Sequence, residues 1–527
     1  MFLKYIFLLL TAVSLCCLGG CGSQKQDAAN EKAVVMVLGS EPASLDPALT
    51  TGLTESTVEL ELFEGLTRLD EKSQPQPALA KSWSISPDGR TYTFKLREGI
   101  CWSDGTPITA EDFVYAWRRV LNPSVGSENA YMLYILENAE DYNSEKASAE
   151  SVGVRAPDKY TLEVRLHDPA AYFLGLTAFH AFYPVPRALA EKEPETWAGK
   201  AKGLPSCGPY KIVSWVHSSE IVLEKNPHYW NKDAVVTPQL RFPISDAQST
   251  RLTMVESGLA QMTSDPPSPD QDRLEKNGLY RTAPLLGTYY YVFNVTKPPF
   301  DDIRVRRAFA LAAERKDLIR YIVRSHKEPA LAFVPPGMNE GGRDFRIEGG
   351  NLLQEDAAAA KKLLAEAGQL PPVTLLYNTS EINKAIAEAL QAMWQKNLGI
   401  SVELANQEKK VFYASRLDGD YQLACANWVA DFADPMNFLE VFSDPENDAQ
   451  YHSKEYDRLV QLAQQEADAD RRQDLMHQAE QKLFDDCVIM PIYFATTPYV
   501  ALPELKGFYW LPLGTVDLSR AYLEEKK

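Results

Sequence analysis

The sequence predicts a mixed α/β protein with more than one lobe. The chain has 527 residues, far more than one hydrophobic core needs, so we expect at least two lobes. Residues 373–378, 381–399 and 400–406 show the patterns of a strand, a helix and a strand. This order indicates a βαβ unit with a parallel strand pair. We find no internal repeat, and long loops separate the predicted elements.

The composition excludes several classes of protein. The chain is 45% hydrophobic and 24% charged, which is typical of a folded globular protein. Its formal net charge is −18, and the sequence contains no basic stripe. Because phosphate backbones repel such an acidic surface, we expect no nucleic-acid partner.

The first twenty residues differ from the rest of the chain. Residues 1–20 combine Lys4 with an apolar run, which is typical of a secretory signal and too short for an anchored spanning helix. The end of this run, "LGGC", resembles a bacterial lipobox, which implies cleavage before Cys21 and lipidation of that cysteine. Residues 21–32 would then tether a folded domain to a membrane surface. An ordinary signal peptide that is cut nearby is the alternative.

Strands and helices alternate along the remaining chain. A strand is predicted at 33–40, and residues 46–66 begin as a loop and become helical. Residues 92–121 predict a strand, a turn and a helix that starts with a capping-box pattern, Thr109 and Asp112. Further strands are predicted at 159–169, 206–215, 219–230 and 288–300, and further helices at 302–323 and 356–368.

The sequence offers no recognisable catalytic or metal-binding motif. It lacks GxSxG, HExxH, a Walker loop and GxGxxG, and its seven histidines are scattered. No CxxC pair occurs among the cysteines after residue 21, and we predict that they are free thiols: Cys101, Cys207, Cys425 and Cys487. We therefore expect no metal, no cofactor and no enzymatic activity. An exported hydrolase, with catalytic residues far apart in sequence, is the alternative.

One acidic residue has no evident local role. In "NWVADFADP", residues 427–435, Asp434 precedes Pro435 and is predicted to start a helix. Asp431 instead follows an apolar segment that has the pattern of a buried strand end. A buried carboxylate needs a cation or several hydrogen-bond donors. The residues alone leave open whether Asp431 has a structural role, as a turn or cap, or meets a ligand.

Several sequence blocks together resemble the bacterial extracellular solute-binding proteins of the oligopeptide permease type. The resemblance covers essentially the whole mature chain, and the blocks occur in the order of that family. They are "GSEPASLDPALTTG", "LFEGLTRLD", "WSDGTPITAEDFVYAWRR", "GPYKIVSW", "VLEKNPHYWN", "TYYYVFNVTKPPFDDIRVRRAFA", "LLYNTS" and "NWVADFADP".

The resemblance implies a two-lobed periplasmic-binding-protein-like fold with an additional subdomain, mixed sheets and hinge closure. The implied boundaries are 33–63, 186–286 and 498–527 for lobe I, 64–185 for the extra subdomain and 287–497 for lobe II.

The resemblance also implies a function outside the cytoplasm. The chain would be a monomeric receptor, on the periplasmic or cell-surface side, that captures oligopeptides and delivers them to the membrane subunits of an ABC permease. Another ligand of the same family, such as a dipeptide, a cell-wall peptide or a nickel complex, is an alternative. An exported hydrolase or a peptide chaperone is a more distant one.

The resemblance assigns a role to each residue near the amino end of a bound peptide. The carboxylate of Asp431 would meet the α-amino group. Main-chain groups of Asn427, Val429 and Leu53 would hold the peptide backbone as an added strand. In this family the Tyr290 hydroxyl would face the cleft. Trp428 would offer a flat wall to a ligand side chain, although a core role is the alternative for both aromatic residues.

The carboxyl end of the ligand is less well specified. Neutral Asn383 and Cys425 stand where similar proteins show His and Arg, and Val292 stands where they show an acid. Arg416 and Arg324 remain as nearby cations. We therefore expect that the carboxyl end is not tightly clamped and that peptides of different lengths bind.

Overall fold

The computed structural model describes residues 33–340 and 342–525. The predicted signal, the tether and Cys21 lie outside these residues. In the part of the chain that is described, no helix is both long enough and apolar enough to cross a membrane.

Strands and helices follow one another throughout the described chain. In chain order the strands are β1 (Val34–Val37), β2 (Thr67–Leu69), β3 (Pro75–Pro77), β4 (Ala80–Ile85), β5 (Thr91–Leu96), β6 (Val154–Asp158), β7 (Thr161–Arg165), β8 (Tyr210–Val216), β9 (Glu220–Lys225), β10 (Gln239–Pro243), β11 (Met262–Ser264), β12 (Tyr280–Phe293), β13 (Glu328–Pro329), β14 (Asn339–Glu340), β15 (Arg343–Asp344), β16 (Val373–Asn378), β17 (Val402–Gln407), β18 (Leu423–Val429), β19 (Ile489–Ala501), β20 (Leu505–Lys506), β21 (Tyr509–Trp510), β22 (Val516–Asp517) and β23 (Tyr522–Leu523).

The α-helices alternate with these strands along the described chain. In chain order they are α1 (Leu53–Leu62), α2 (Ala110–Leu121), α3 (Ala139–Asn143), α4 (Phe173–Leu176), α5 (Arg187–Lys192), α6 (Gln248–Glu256), α7 (Gln271–Lys276), α8 (Ile303–Leu311), α9 (Arg315–Leu318), α10 (Phe345–Gly349), α11 (Ala357–Ala367), α12 (Glu381–Leu398), α13 (Lys409–Leu417), α14 (Met436–Leu439), α15 (Lys454–Gln465) and α16 (Ala469–Asp485).

The largest sheet runs through the whole molecule. Its strand order is β17-β16-β18-β12-β19-β11-β1-β10-β9-β8, with β13 paired to β19 beside this path. The long strands β12 and β19 are antiparallel partners, and their pairing shifts register between Pro284 and Thr288. A separate four-stranded sheet, β4-β5-β7-β6, lies within residues 64–185, the range predicted for the additional subdomain. The mixed α/β prediction is confirmed.

The apolar side chains form two large cores along this sheet. One core includes Phe94, Trp117 and Tyr210 and extends to Ala283 of β12. The other begins at Leu286 of β12 and includes Trp394. The change of core between positions 283 and 286 marks where β12 passes from one lobe to the other. The domain boundaries given above stay predictions.

Several local predictions are confirmed. Strands β16 and β17 are parallel and enclose α12, as the βαβ pattern predicts. Thr109 and Asp112 form the predicted capping box of α2. Helix α11 is capped by the Asp356 carboxylate and ends at Gly368, whose φ of 88° favours glycine.

The predicted single helix at 302–323 is wrong. Helix α8 ends at Leu311, and a new helical segment starts at Arg315. The buried Arg315 guanidinium donates hydrogen bonds to the carbonyl oxygens of Ala310, at 3.3 Å, and Ala313, at 3.0 Å. The side chain therefore takes carbonyl groups that a continuous helix would use, and the helix stops there.

The prediction of free thiols is confirmed for the four cysteines that lie in the described chain. Cys207, Cys425 and Cys487 are buried, and Cys101 is half-buried. Burial raises the pKa of the Cys487 thiol to about 11. The thiol is therefore unreactive at neutral pH.

Candidate functional site

A cavity of about 690 Å³ lies where the two cores meet. Three of the residues predicted to bind a ligand line it: Leu53, Val429 and Asp431. Most of the remaining wall is apolar and includes Leu60, Leu69, Met132, Leu176, Phe179 and Leu513. A concave, mainly apolar cavity with a few polar groups is the usual form of a ligand site.

Asp431 is the polar group of this cavity that most needs a partner. It lies two positions after the end of β18, and its backbone N–H donates to Asn437 Oδ1 at 3.0 Å. Burial raises the pKa of the Asp431 carboxyl, although hydrogen bonds with the side chains of Tyr131 and Asn437 lower it in part. No Lys, Arg or His nitrogen of residues 33–340 or 342–525 lies within 4.0 Å of this carboxylate. A ligand cation would supply the missing charge.

Strand β18 leaves one edge free beside Asp431. Its ladder with β12 runs from Leu423 to Val429. On the other side, β16 pairs with it at Leu423 and Ala424 alone. Within the described chain, the edge from Cys425 to Val429 is therefore open to a further strand.

The hydrogen-bonding direction of this edge follows from one contact. The N–H of Ala430 donates to the carbonyl oxygen of Leu286 on β12, at 2.7 Å. Main-chain groups alternate in direction along an antiparallel strand, so Trp428 also bonds towards β12. The N–H and C=O groups of Asn427 and Val429 then point to the open edge. The family resemblance implies peptide contacts for the main chain of these two residues.

Leu53 occupies the first turn of α1. Its side chain is 55% exposed, and Gly52 precedes it as the N-cap residue. The N–H groups of a first helical turn have no acceptor inside the helix. The main chain at Leu53 therefore presents a donor at the wall of the cavity.

Four other predicted residues lie away from the cavity. Trp428 is half-buried, and its Nε1–H donates to Asn437 Oδ1 at 3.2 Å. Tyr290 and Val292 are 2% and 0% exposed, and the Tyr290 ring packs edge-on against Phe333 at 5.1 Å. The guanidinium of Arg416, also buried, forms an ion pair with Asp448.

This placement differs from the cleft-facing orientation expected for Tyr290. Alternation along β12 does put Tyr290 and Val292 on one face, as the sequence predicts. However, β12 is an inner strand of the sheet, and helices and loops cover both of its faces. The face that carries Tyr290 is filled by core aromatic rings. A ligand contact for this hydroxyl stays a prediction.

Asn383 and Cys425 belong to a second polar group on lobe II. The Tyr289 hydroxyl donates to Asn383 Oδ1 at 3.1 Å, and Asn383 Nδ2 donates to Asn378 Oδ1 at 2.7 Å. The buried Cys425 thiol lies 3.7 Å from the same oxygen of Asn378. The structure thus brings these two predicted residues together, although neither lines the cavity.

Next to this group lies a cation that the sequence analysis did not single out. Lys327 Nζ is 5.2 Å from the centre of the Tyr493 ring, which stacks on Tyr289 at 4.9 Å. Burial lowers the pKa of the Lys327 ammonium to about 8. No carboxylate of the described chain lies within 4.0 Å of it. No motif marks this lysine, and only the folded arrangement identifies it.

The two arginines named as nearby cations already have acidic partners. Arg416 pairs with Asp448, and Arg324 pairs with Asp272. Neither is an unpaired cation, which leaves Lys327 as a better candidate to meet an incoming carboxylate.

Contacts across the cavity connect the predicted subdomain with the predicted lobe II. The ring of Tyr172 stacks on the ring of Phe432, with 4.7 Å between the ring centres. The guanidinium of Arg472 lies 5.8 Å from the centre of the Tyr172 ring. Tyr131, also in the subdomain, reaches Asp431. Tyr131 and Asn437 are therefore site residues that the sequence analysis missed. Tyr131 is three hundred positions from its partner, and no local pattern could indicate it.

The described residues contain no group of three or more His, Cys, Asp or Glu side chains arranged to hold a metal ion. The chemistry of the site is instead a carboxylate, an open strand edge and an apolar wall. This set can recognise a ligand that carries a cation next to a polypeptide-like backbone.

Comparisons with known proteins identify the family of this chain. The model of the family "Bacterial extracellular solute-binding proteins, family 5 Middle" matches residues 74–450. The oligopeptide-binding protein OppA of Bacillus subtilis is 35% identical over 539 residues, which cover 98% of this chain and 98% of that protein.

Solved structures share the fold over nearly the whole chain. The unliganded open form of the murein tripeptide binding protein MppA superposes with a TM-score of 0.82 at 34% identity, covering 93% of this chain and 97% of that one. The Haemophilus influenzae OppA complex with the peptide RPPGFSPFR superposes with a TM-score of 0.74 at 33% identity, covering 93% and 99%. These likenesses confirm the two-lobed fold class. The chain belongs to the family 5 bacterial extracellular solute-binding proteins.

Proposed function

We propose that this protein captures oligopeptides between its two lobes, outside the cytoplasm, and delivers them to an ABC permease. The observation that carries the proposal is a half-buried carboxylate, Asp431, beside the open edge of β18 and without a cation within the described chain. A peptide brings an α-ammonium group and a backbone that can extend the sheet. It therefore satisfies both needs at once.

Backbone recognition explains how one site accepts many sequences. An extended peptide that pairs with Asn427 and Val429 uses amide groups that every peptide has. One of the relatives named above was solved in complex with a nine-residue peptide. A ligand of that kind is what an open strand edge would bind.

Closure of the lobes would complete the site. Strands β12 and β19 are the connections between the two cores, and the register shift between Pro284 and Thr288 lies where they cross. The better superposition on an unliganded open form supports an arrangement that has yet to close. A peptide that contacts both lobes would favour the closed state, which the permease recognises.

We propose that the mature protein is monomeric and that a lipid on Cys21 holds it at the membrane. The support is the "LGGC" end of the predicted signal, followed by the polar residues 22–32. Two acyl signals are enough to anchor a folded domain stably.

Cys21→Ala should release the protein from the membrane. Without the thiol no lipid can be attached, and the described chain has no helix able to span a bilayer. Fractionation of cells that express the variant should find it in the soluble fraction, whereas Cys101→Ala should leave the wild-type distribution unchanged. A Cys21→Ala protein that stays wholly in the membrane fraction would contradict the anchor.

Lys327→Met should weaken the binding of peptides with a free carboxyl end about tenfold and leave the matching amides unaffected. The reason is that Lys327 is a half-buried ammonium without an acidic partner in the described chain. Because its pKa in the free protein is lowered to about 8, carboxylate binding should take up protons above that pH. Calorimetry in buffers of different ionisation heat measures both effects.

The exposed Lys316→Met is the matched control for this experiment. It removes one charge from the same lobe and should change neither affinity. If wild-type protein binds acids and amides equally, the carboxyl end lies in solvent, as the sequence analysis expects, and Lys327 has no role in binding.

Ligand identification would test the proposed function directly. Purified protein should release peptides on denaturation, and mass spectrometry should find intact peptides of several lengths. Incubation with a bound peptide should return it uncleaved. Cleavage would favour the exported hydrolase, and release of a different class of molecule would overturn the proposal.

A further inference from the structure

The charges that line the cavity are of one sign. Its acidic side chains are Glu128, Asp431 and Asp434, and no Lys or Arg is among the described residues of its wall. The one lining histidine, His180, is buried, and burial lowers its pKa to about 4, so it is neutral at physiological pH. Asp434 is neutralised by Arg472 outside the cavity wall. The cavity is thus negative and apolar.

Glu128 is the acid of this wall that has no other role. It is exposed, and its carboxylate makes no ion pair or hydrogen bond within the described chain. Its neighbours fix its position: buried Asn129 donates to the Thr50 carbonyl oxygen at 2.8 Å, and Tyr131 reaches Asp431. The backbone therefore holds Glu128 beside the site of the amino end.

A ligand side chain in this cavity meets a selective environment. An apolar side chain gains by leaving water for the Leu, Met and Phe side chains of the wall. A ligand carboxylate would lose water next to Glu128, which has no ion-pair partner within the described chain. The α-ammonium group of the peptide is already paired with Asp431, so no free cation compensates the repulsion between the two carboxylates. An amide of the same shape lacks the charge and avoids the repulsion.

We propose that this cavity selects peptides with apolar side chains near the amino end and discriminates against Asp and Glu there, with Glu128 as a specificity-determining residue. The inference rests on the proposed function, because it assumes that Asp431 holds the amino end of a peptide. Discrimination should fade with distance from Glu128, towards the carboxyl end of the peptide.

The test is a set of tetrapeptides based on Leu-Leu-Ala-Ala, titrated calorimetrically at neutral pH. Each position in turn is replaced by Glu and by its neutral analogue Gln. In wild-type protein the Glu peptide should bind at least about tenfold more weakly than the Gln peptide at one or more of the first three positions. At the fourth position the two should agree within about threefold.

Glu128→Lys should remove most of this discrimination, and Glu128→Gln should reduce it. Glu150→Lys is the matched control, since it makes the same charge change at an exposed residue of the same subdomain outside the cavity. The control should keep the wild-type ratio of Glu to Gln affinities. A control that relieves the penalty as well as Glu128→Lys would assign the effect to the net charge of the protein and overturn the role of Glu128.

The outcomes separate this proposal from the one on which it rests. If the parent peptide binds but Glu and Gln peptides bind equally at every position, the selectivity is wrong and the proposed function stands. If the penalty is present but Glu128→Lys leaves it intact, Glu128 is not the specificity residue. If no peptide binds, both proposals fail.

Discussion

Asp431→Asn should weaken the binding of peptides with a free amino end by about 3 kcal/mol, roughly a hundredfold. The substitution keeps the shape of the side chain and the hydrogen bond from the Asp431 backbone to Asn437. It removes the negative charge that would pair with the α-ammonium group. Isothermal titration of one peptide in its free and N-acetylated forms measures the effect.

N-acetylation provides the internal control for this prediction. The acetylated peptide lacks the cation, so wild-type protein should bind it poorly, and the Asp431→Asn variant should bind both forms with similar low affinity. Asp420→Asn, at an exposed residue of the same lobe, should bind both forms as the wild type does. Equal wild-type affinity for the two forms would rule out an amine clamp at Asp431.

The same substitution should raise the stability of the unliganded protein at neutral pH. Burial raises the pKa of Asp431 above its value in the unfolded chain, so the folded state holds the proton more strongly. Stability contributed by such an acid is present at low pH and falls as the pH rises through this window. Asn carries no charge at any pH. In thermal melts, the variant should therefore have the higher melting temperature at neutral pH. At a pH well below the ordinary pKa of an Asp side chain, the two proteins should have the same melting temperature.

Sequence reasoning singled out Asp431 as a residue without an evident local role, but it did not identify the surroundings of this residue. An acid directly after an apolar strand, with no helix to cap, is visible in nine consecutive residues. Asn437 orients Trp428 and the Asp431 backbone, and it needs the turn after β18 to come near them. Tyr131 needs the whole interface between the subdomain and lobe II. Local patterns contain no information about such long-range contacts.

Tyr290 shows a different limit. A period of two correctly predicts which residues of a strand share a face, because it follows from the backbone alone. It does not tell which face remains open, since that depends on the elements that cover the sheet. Phe333 and Phe442 cover the Tyr290 side, and both come from segments distant in sequence. Similarly, the break of the predicted helix at 302–323 depends on the buried side chain of Arg315.

Arg472→Met should lower the free energy of unfolding by about 3–5 kcal/mol. Arg472 and Asp434 form a buried, bidentate ion pair with two N–O distances of 2.9 Å. Without the guanidinium, the Asp434 carboxylate stays buried without a cation. Nearby Glu440 already has its pKa raised to about 7, by burial and by the charge of Asp434. Loss of Arg472 would raise it further.

This origin of the loss predicts its dependence on pH and on the partner residue. The destabilisation should be smaller in acidic buffer, because protonation of Glu440 then removes one of the uncompensated charges. Adding Asp434→Asn to Arg472→Met should restore stability, with a coupling energy of about 2–3 kcal/mol, since the amide can still accept the hydrogen bond from the Met436 N–H. Urea unfolding of the four proteins of this cycle measures the coupling.

Arg471→Met, at the neighbouring exposed residue, should lower the free energy of unfolding by under about 1 kcal/mol. Equal losses for the two arginines would show that burial of the pair does not determine the stability of this part of the site.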